Sequence, residues 1–171
     1  MAQVLEQFVY KNGFSSVLAQ SNTTVYYCHA PRPSQSDKKR ENAAEVSAIE
    51  SLIPTLETED YAILTPYRNQ LLFLGKQLPE ARHNQQLLTV HGSQEREWHT
   101  VILSVVDTYD KWFTDSQNEL SKGVNLINTA VSRAKKGLII VGDLNYWHCQ
   151  QGQLLQGLVA ITTDFRESMS G

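Results

Sequence analysis

The residue of this chain best suited to phosphate chemistry is Arg133, which follows the mostly small residues 128–132 within the stretch 128–137. The run 138–143 follows directly and is apolar up to its last residue, Asp143, so we predict a helix around 124–134 and then a strand opened by Gly137. A guanidinium is always charged and offers five donors in a planar fork, which suits it to a phosphate on a neighbouring surface. Alternatively, the arginine only complements the dipole of an ordinary amphipathic helix.

Residues 65–70 place further polar side chains at the end of a predicted strand. Pro66 fixes the turn, and Tyr67, Arg68 and Gln70 come at the start of the next predicted helix. Ligands of open α/β sheets bind at the carboxyl ends of strands, so these side chains are candidates for a ligand site. Taken alone, the segment is better explained as a capped helix start with solvated polar residues.

A third polar segment, residues 89–98, joins two predicted strands. Gly92 allows close approach of the backbone to a ligand, and Gln94, Arg96 and Glu97 offer donors and acceptors for a ribose or phosphate. We expect this segment to be too polar for the core and too short to contain a helix of its own. Its alternative role is a charged loop in which Arg96 and Glu97 pair with neighbouring residues.

Composition sets modest limits on function. The 171 residues suit a single domain, and the net charge of -3 gives no overall basic footprint. Any nucleic-acid contact must therefore be local or shared with a partner. Cys28 and Cys149 are too few for a disulfide framework or a metal site, and we expect both to be buried, reduced thiols. Without a leader pattern or a long apolar run, a soluble cytoplasmic protein is expected.

Short apolar runs alternate with amphipathic stretches, which is typical of a mostly parallel sheet covered by helices on both faces. We therefore predict a three-layer α/β domain over residues 24–160, preceded by a segment of uncertain role (1–23) and followed by a tail (161–171). The predicted strands are 24–28, 61–65, 87–90, 100–106 and the run from Gly137. The predicted helices are 41–56, 69–78, 124–134 and 151–160.

The order of the three polar segments resembles the second RecA-like domain of superfamily 1 helicases. The resemblance is strongest to the group that contains the nonsense-mediated-decay RNA helicase and its relatives acting on DNA. Helicase motif IV is matched by residues 65–70, motif V by 92–97 with the strand after it, and motif VI by 127–134 with residues 137–143. Glu95 departs from the glycine usual in motif V. His91 replaces a common aspartate, as in the RecD-like branch.

The resemblance implies specific roles for these residues in an ATP-driven motor. Arg133 would be the arginine finger on the γ-phosphate, and Arg68 a second contact to that phosphate. The nucleotide-binding set, whose members would touch the nucleotide or hold the loops that do, is Tyr67, Gln70, Gln94, Arg96 and Glu97. Single-stranded DNA or RNA would be contacted near Thr65, Thr89, His91 and Ser93.

The resemblance covers only half of such a motor. No Gly-x-x-x-x-Gly-Lys-Ser/Thr phosphate loop occurs in the 171 residues, and Gly75-Lys76 lies in a leucine-rich predicted helix. Asp107 follows a predicted strand, but the next residue is Thr108 rather than the second carboxylate expected of a magnesium site. ATP and Mg²⁺ would therefore be shared with a P-loop RecA-like domain, in the same or a separate chain. We expect no activity from this chain alone, and no metal site of its own.

Two other functions remain open from the sequence. A degenerate helicase half could serve as an interaction or regulatory module, which Glu95 favours and the intact Arg133 segment opposes. A different nucleotide-binding α/β enzyme would need its own phosphate-binding turn after the first strand, and residues 28–32 contain no glycine for one. Each of the three tryptophans could either stack on bases or fill the core: Trp98, Trp112 and Trp147.

Overall fold

The computed structural model describes residues 23–33, 39–107, 111–118, 120 and 123–169. A six-stranded sheet has the order β3-β2-β4-β5-β1-β6, and every neighbouring pair is parallel. The strands are β1 (Thr24–His29), β2 (Tyr61–Thr65), β3 (Leu87–Thr89), β4 (Trp98–Ser104), β5 (Ala134–Gly142) and β6 (Thr163–Asp164). The predicted α/β fold with a parallel sheet is confirmed.

Helices cover both faces of the sheet. They are α1 (Ala43–Leu52), α2 (Arg68–Gln77), α3 (Pro79–His83), α4 (Gly123–Ser132), α5 (Leu144–His148), α6 (Leu154–Ala160) and α7 (Phe165–Ser168). Short 3₁₀ turns span Ile53–Thr55 and His91–Ser93. Buried side chains of α4, α5 and α6 pack on one face, and those of α1, α2, α3 and α7 on the other.

The central strands are buried on both faces, which explains their continuous apolar sequences. Successive side chains of a strand point to opposite faces. Val101 and Leu138 accordingly belong to the core under α4, whereas Ile102 and Ile139 belong to the core under α1. The three-layer arrangement follows directly from this alternation.

Several predicted boundaries were wrong, for tertiary reasons. Strand β5 begins at Ala134 rather than Gly137, because Ala134 pairs with Trp98 and the Trp98 amide donates to the Arg133 carbonyl (2.9 Å). Helix α1 begins after Asn42, whose side chain accepts from the amides of Ala44 and Glu45. In place of the rest of the predicted helix 41–56, a 3₁₀ turn containing a proline follows α1.

The ends of the described chain add further elements. Strand β6 and helix α7 lie within the predicted tail, and β6 extends the sheet beside β1. Helices α3 and α5 were not predicted. Cys28 is buried as expected, but the expectation for Cys149 was wrong, because it lies exposed just beyond the end of α5. The predicted N-terminal segment, except for Thr23, lies outside the described residues.

Candidate nucleotide and nucleic-acid interfaces

The three polar segments lie at two opposite edges of the sheet. The carboxyl edge is formed by the last residues of β1 to β5: His29, Thr65, Thr89, Ser104 and Gly142. The amino edge is formed by the first residues of β2, β4 and β5: Tyr61, Trp98 and Ala134. Pairing runs from Trp98 with Ala134 to Ser104 with Val141. The edges are therefore about 20 Å apart at a rise of roughly 3.3 Å per residue.

This geometry separates the two arginines that the sequence placed on one phosphate. Arg133 directly precedes β5 at the amino edge, whereas Arg68 is the first residue of α2, just past the carboxyl end of β2. An arginine side chain cannot bridge a gap of about 20 Å. The structure therefore does not bring Arg68 to Arg133, and a shared γ-phosphate contact does not fit the fold.

Arg133 is half-buried at the amino edge, and its guanidinium is held by neutral oxygens. Its Nε and Nη2 donate to the Ser132 hydroxyl (3.2 and 2.9 Å), and Nη1 donates to the Arg96 carbonyl (3.3 Å). Among the described residues no carboxylate lies within salt-bridge distance of it. The charge is therefore positioned but not neutralised, as a phosphate-binding arginine requires.

The predicted nucleotide-binding segment reaches Arg133 through the backbone of Arg96. Gln94, Arg96 and Glu97 are exposed, and the Arg96 guanidinium lies over the Trp98 ring, 5.0 Å from its centroid. In the described part of the chain, neither Arg96 nor Glu97 forms an ion pair, so the alternative prediction that they pair with neighbours has no support there. Their charged groups remain available at the amino edge.

An acidic groove at the amino edge is lined in part by Trp98. It has a volume of about 780 Å³. Its acidic lining residues are Glu57, Glu59, Asp60 and Glu80. A triphosphate would be repelled by these carboxylates. An anion is therefore favoured on the Arg96 and Arg133 side of the amino edge rather than in this groove.

The crossover segment, residues 90–97, runs from the carboxyl edge back to the amino edge. It contains the 3₁₀ turn His91–Ser93, so the expectation of no helix was wrong. It is also not wholly excluded from the core, because Val90 and Ser93 are buried. Glu95 has φ 64°. Glycine adopts this left-handed conformation without strain, which gives a backbone reason for the glycine usual there in the resembling family.

The four predicted nucleic-acid residues lie at the carboxyl edge but differ in exposure. Thr65 and Ser93 are fully buried, and the Ser93 hydroxyl donates to the Val90 carbonyl (2.6 Å). These two buried side chains stabilise turns, and neither can contact a strand of nucleic acid. Thr89 is half-buried, with its hydroxyl accepting from the Gly92 amide (3.0 Å), and His91 is exposed. Of the four predicted residues, only Thr89 and His91 have solvent-exposed surface.

Gln70 belongs to a buried polar network that ties α1, α2 and β4 together. Its Oε1 accepts from the Asn42 amide (2.9 Å), and its Nε2 donates to the Ser104 hydroxyl (3.0 Å). That hydroxyl donates to Glu45 Oε2 (2.6 Å), while Glu45 Oε1 accepts from the Val106 amide (2.9 Å). Gln70 is wholly buried, so it holds the turn after β2 rather than touching a nucleotide.

Tyr67 is also a buried structural residue, bonded through its hydroxyl to the Asp107 carboxylate. Burial, and then the charge of Asp107, raise the pKa of the tyrosine. The same carboxylate accepts from Arg40 Nη1 (2.8 Å), the Trp112 amide (3.0 Å) and the Thr114 hydroxyl (2.6 Å). Asp107 was considered in the sequence only for magnesium, and its anchoring role carries no local sequence signal.

The three tryptophans divide cleanly by exposure. Trp98 and Trp147 are 6% and 1% exposed, so both fill the core. Trp112 is 44% exposed and lies in the segment that follows β4 at the carboxyl edge.

Within the described residues, no helix is long and apolar enough to cross a membrane, and no cluster of three or more metal-binding side chains occurs.

Comparison with known proteins finds a family and several relatives. The profile of the AAA domain family matches residues 7–145. A human protein named as the 3'-5' exoribonuclease HELZ2 is 34% identical over 116 residues, covering 60% of this chain and 4% of that protein. The uncharacterized ATP-dependent helicase MJ0104 of Methanocaldococcus jannaschii is 31% identical over 48% of this chain and 12% of its own length.

Two further similarities concern DNA helicases by name. The DNA polymerase alpha-associated DNA helicase A of Schizosaccharomyces pombe is 30% identical over 53% of this chain and 13% of its own length. The C-terminal domain of a possible DNA helicase from Lactobacillus plantarum has 16% identity and a TM-score of 0.47, with 83% of each chain covered. The chain thus spans only a small part of the curated relatives it matches.

The matched family profile extends over most of the chain and includes all three motif segments. The chain therefore belongs to the AAA domain family, and the relatives that it resembles include proteins named as helicases.

Proposed function

We propose that this chain is the second motor domain of an ATP-dependent helicase and acts with a P-loop RecA-like domain. The observation that carries the proposal is Arg133, a positioned guanidinium without a carboxylate partner among the described residues, beside the exposed side chains of Arg96 and Glu97. ATP and Mg²⁺ would lie between the amino edge and the P-loop domain, which supplies the lysine and the magnesium ligands.

In this proposal Arg133 stabilises charge on the γ-phosphate during transfer. Its neutral hydrogen bonds to Ser132 and to the Arg96 carbonyl hold the side chain without neutralising it. Gln94, Arg96 and Glu97 contact the ribose and phosphates from the same edge. Arginine fingers contribute roughly 10³- to 10⁵-fold in turnover, so the loss of Arg133 should nearly abolish hydrolysis.

Single-stranded DNA or RNA would cross the carboxyl edge, on the far side of the sheet. His91, the Gly92 backbone and the Thr89 region are the contacts there. Arg68, exposed at the start of α2, would contact a nucleic-acid phosphate rather than the γ-phosphate. The crossover segment joins the two edges directly, so a shift of Arg96 on nucleotide binding would be transmitted to His91.

ATP turnover tests the proposal. The chain would be assayed alone and joined to a P-loop RecA-like domain, with and without single-stranded nucleic acid. We expect turnover only from the joined protein, stimulation by nucleic acid, and a loss of at least about 10³-fold in Arg133→Ala. Lys135→Ala, which removes an exposed cation two residues away, should keep most of the activity. An inert joined protein, or an Arg133→Ala variant with full turnover, would refute the proposal.

A further inference from the structure

Trp112 is an exposed aromatic ring beyond the carboxyl end of β4. It is 44% exposed, in contrast to the two core tryptophans. Burying a large aromatic ring is favourable, and a half-exposed tryptophan is therefore typical of a binding surface. Its ring meets the Phe113 ring edge-on, with centroids 6.4 Å apart, so one part of the indole is supported and another faces solvent.

The backbone that carries Trp112 is unusually well anchored. Its amide donates to Asp107 Oδ2 (3.0 Å), and the Thr114 amide donates to the same oxygen (3.1 Å). The Phe113 amide donates to the Tyr67 hydroxyl (3.2 Å), and the rings of these two residues lie 5.4 Å apart. Holding a ring in place beforehand lowers the entropy lost on binding. The site is thus preorganised by a buried carboxylate.

The position of Trp112 matches the edge proposed for nucleic acid. It follows β4 at the carboxyl edge and is tied through Asp107 to Tyr67, the residue before Arg68. Next to it, the Lys111 ammonium donates to neutral Gln150 Oε1 (2.8 Å) and lies 5.7 Å from the Tyr146 ring centroid. Trp112 therefore has a cation as its neighbour in the chain, and aromatic rings combined with positive charge bind single strands, because bases stack while phosphates meet positive charge.

We propose that Trp112 is a stacking platform for one base of single-stranded nucleic acid crossing the carboxyl edge. The inference rests on the proposed function for its ligand class and adds a contact that lies in none of the three motif segments. Asp107 and Tyr67 are positioning residues for this platform. Stacking does not discriminate between bases, so the contact would serve translocation over any sequence.

The test titrates the 171-residue chain against fluorescein-labelled (dT)₁₅ and (U)₁₅ at low salt, read by anisotropy. Trp112→Ala should weaken binding by roughly 5- to 150-fold, and Trp112→Phe by less, because it keeps a ring. Leu120→Ala is the matched control, since Leu120 is an 86% exposed apolar residue beyond the same β4 end. It should bind like the wild type.

Intrinsic tryptophan fluorescence gives a second measurement, because oligonucleotide would not quench Trp112 if this residue were only structural. Unlabelled oligonucleotide should quench part of the tryptophan emission in the wild type but not in Trp112→Phe, because Trp98 and Trp147 are buried. Equal affinities for wild type and Trp112→Ala, quenching that persists in Trp112→Phe, or no wild-type binding would each overturn the inference. The first two outcomes leave the ATP turnover test of the proposed function untouched.

Discussion

Glu45 shows what a single buried carboxyl does to this fold. It is fully buried, and burial is the main cause that raises its pKa to about 8 from 4.5, with a smaller contribution from the charge of Asp107. Hydrogen bonds from Ser104, the Val106 amide and Asn42 act in the opposite direction. The folded protein therefore holds a proton here that the unfolded chain releases above about pH 4.5.

The sign of the pH dependence follows from this difference. Below pH 4.5 both states are protonated and the contribution to stability is complete; it is lost as the pH rises towards 8. We expect the free energy of unfolding to fall by up to about 1.4 kcal/mol per pH unit in this window. Denaturation of Glu45→Gln should show a flatter profile, while Glu50→Gln, exposed on the same helix, should follow the wild type. Parallel profiles for all three would contradict the prediction.

At the scale of elements, the crossover segment carries a strained residue. Glu95 has φ 64°, whereas the neighbouring Gln94 has φ -55°. A side chain in the left-handed region costs roughly 1 kcal/mol, which glycine avoids. Glu95→Gly should therefore be more stable than Gln94→Gly by about 1 kcal/mol in urea denaturation, since both positions are exposed. If the two glycine variants were equally stable, the strain would be absent.

The segment after β4 depends on another single anchor, Asp107. Its carboxylate accepts hydrogen bonds from Arg40, Tyr67, Trp112 and Thr114. An amide in its place would turn a donor towards these donors, so Asp107→Asn should lower the free energy of unfolding by about 3 kcal/mol. Tyr67→Phe removes two hydrogen bonds, the one donated to Asp107 and the one accepted from the Phe113 amide, and should cost about 2 kcal/mol. Chemical denaturation measures both, and a smaller loss in Asp107→Asn than in Tyr67→Phe would contradict the ranking.

At the scale of the whole molecule, the two edges should be separable by charge reversal. Arg96→Glu, at the amino edge, should reduce ATP turnover of the joined protein and leave oligonucleotide binding nearly unchanged. Arg68→Glu, at the carboxyl edge, should weaken oligonucleotide binding and reduce its salt dependence, with little effect on turnover measured without nucleic acid. Turnover and anisotropy assays on both variants check the division. Equal effects of either variant on both readouts would show that the edges do not act separately.

Local sequence was sufficient to predict the class of fold and to recognise the three motif segments. Apolar runs predict the strands because a strand buried on both faces excludes polar side chains, and the positions of β1 to β5 agree to within three residues. Turn and motif residues such as Pro66, Gly92 and Arg133 are recognisable because their backbone or charge properties are specific to those residue types. The short helices α3 and α5 were missed, since a single turn has too few residues for a periodic pattern.

The tertiary structure alone decided which edge each motif occupies and which of its side chains are free. A motif at a strand end and a motif at a strand start look alike in sequence, and only parallel pairing sends Arg68 and Arg133 to opposite edges. Likewise, a glutamine or threonine in a motif is buried or exposed according to partners distant in the chain. Gln70 is buried and hydrogen-bonded to Asn42 and Ser104, whereas the Arg96 side chain is exposed to solvent. Such contacts depend on packing between residues far apart in sequence, which no local pattern records.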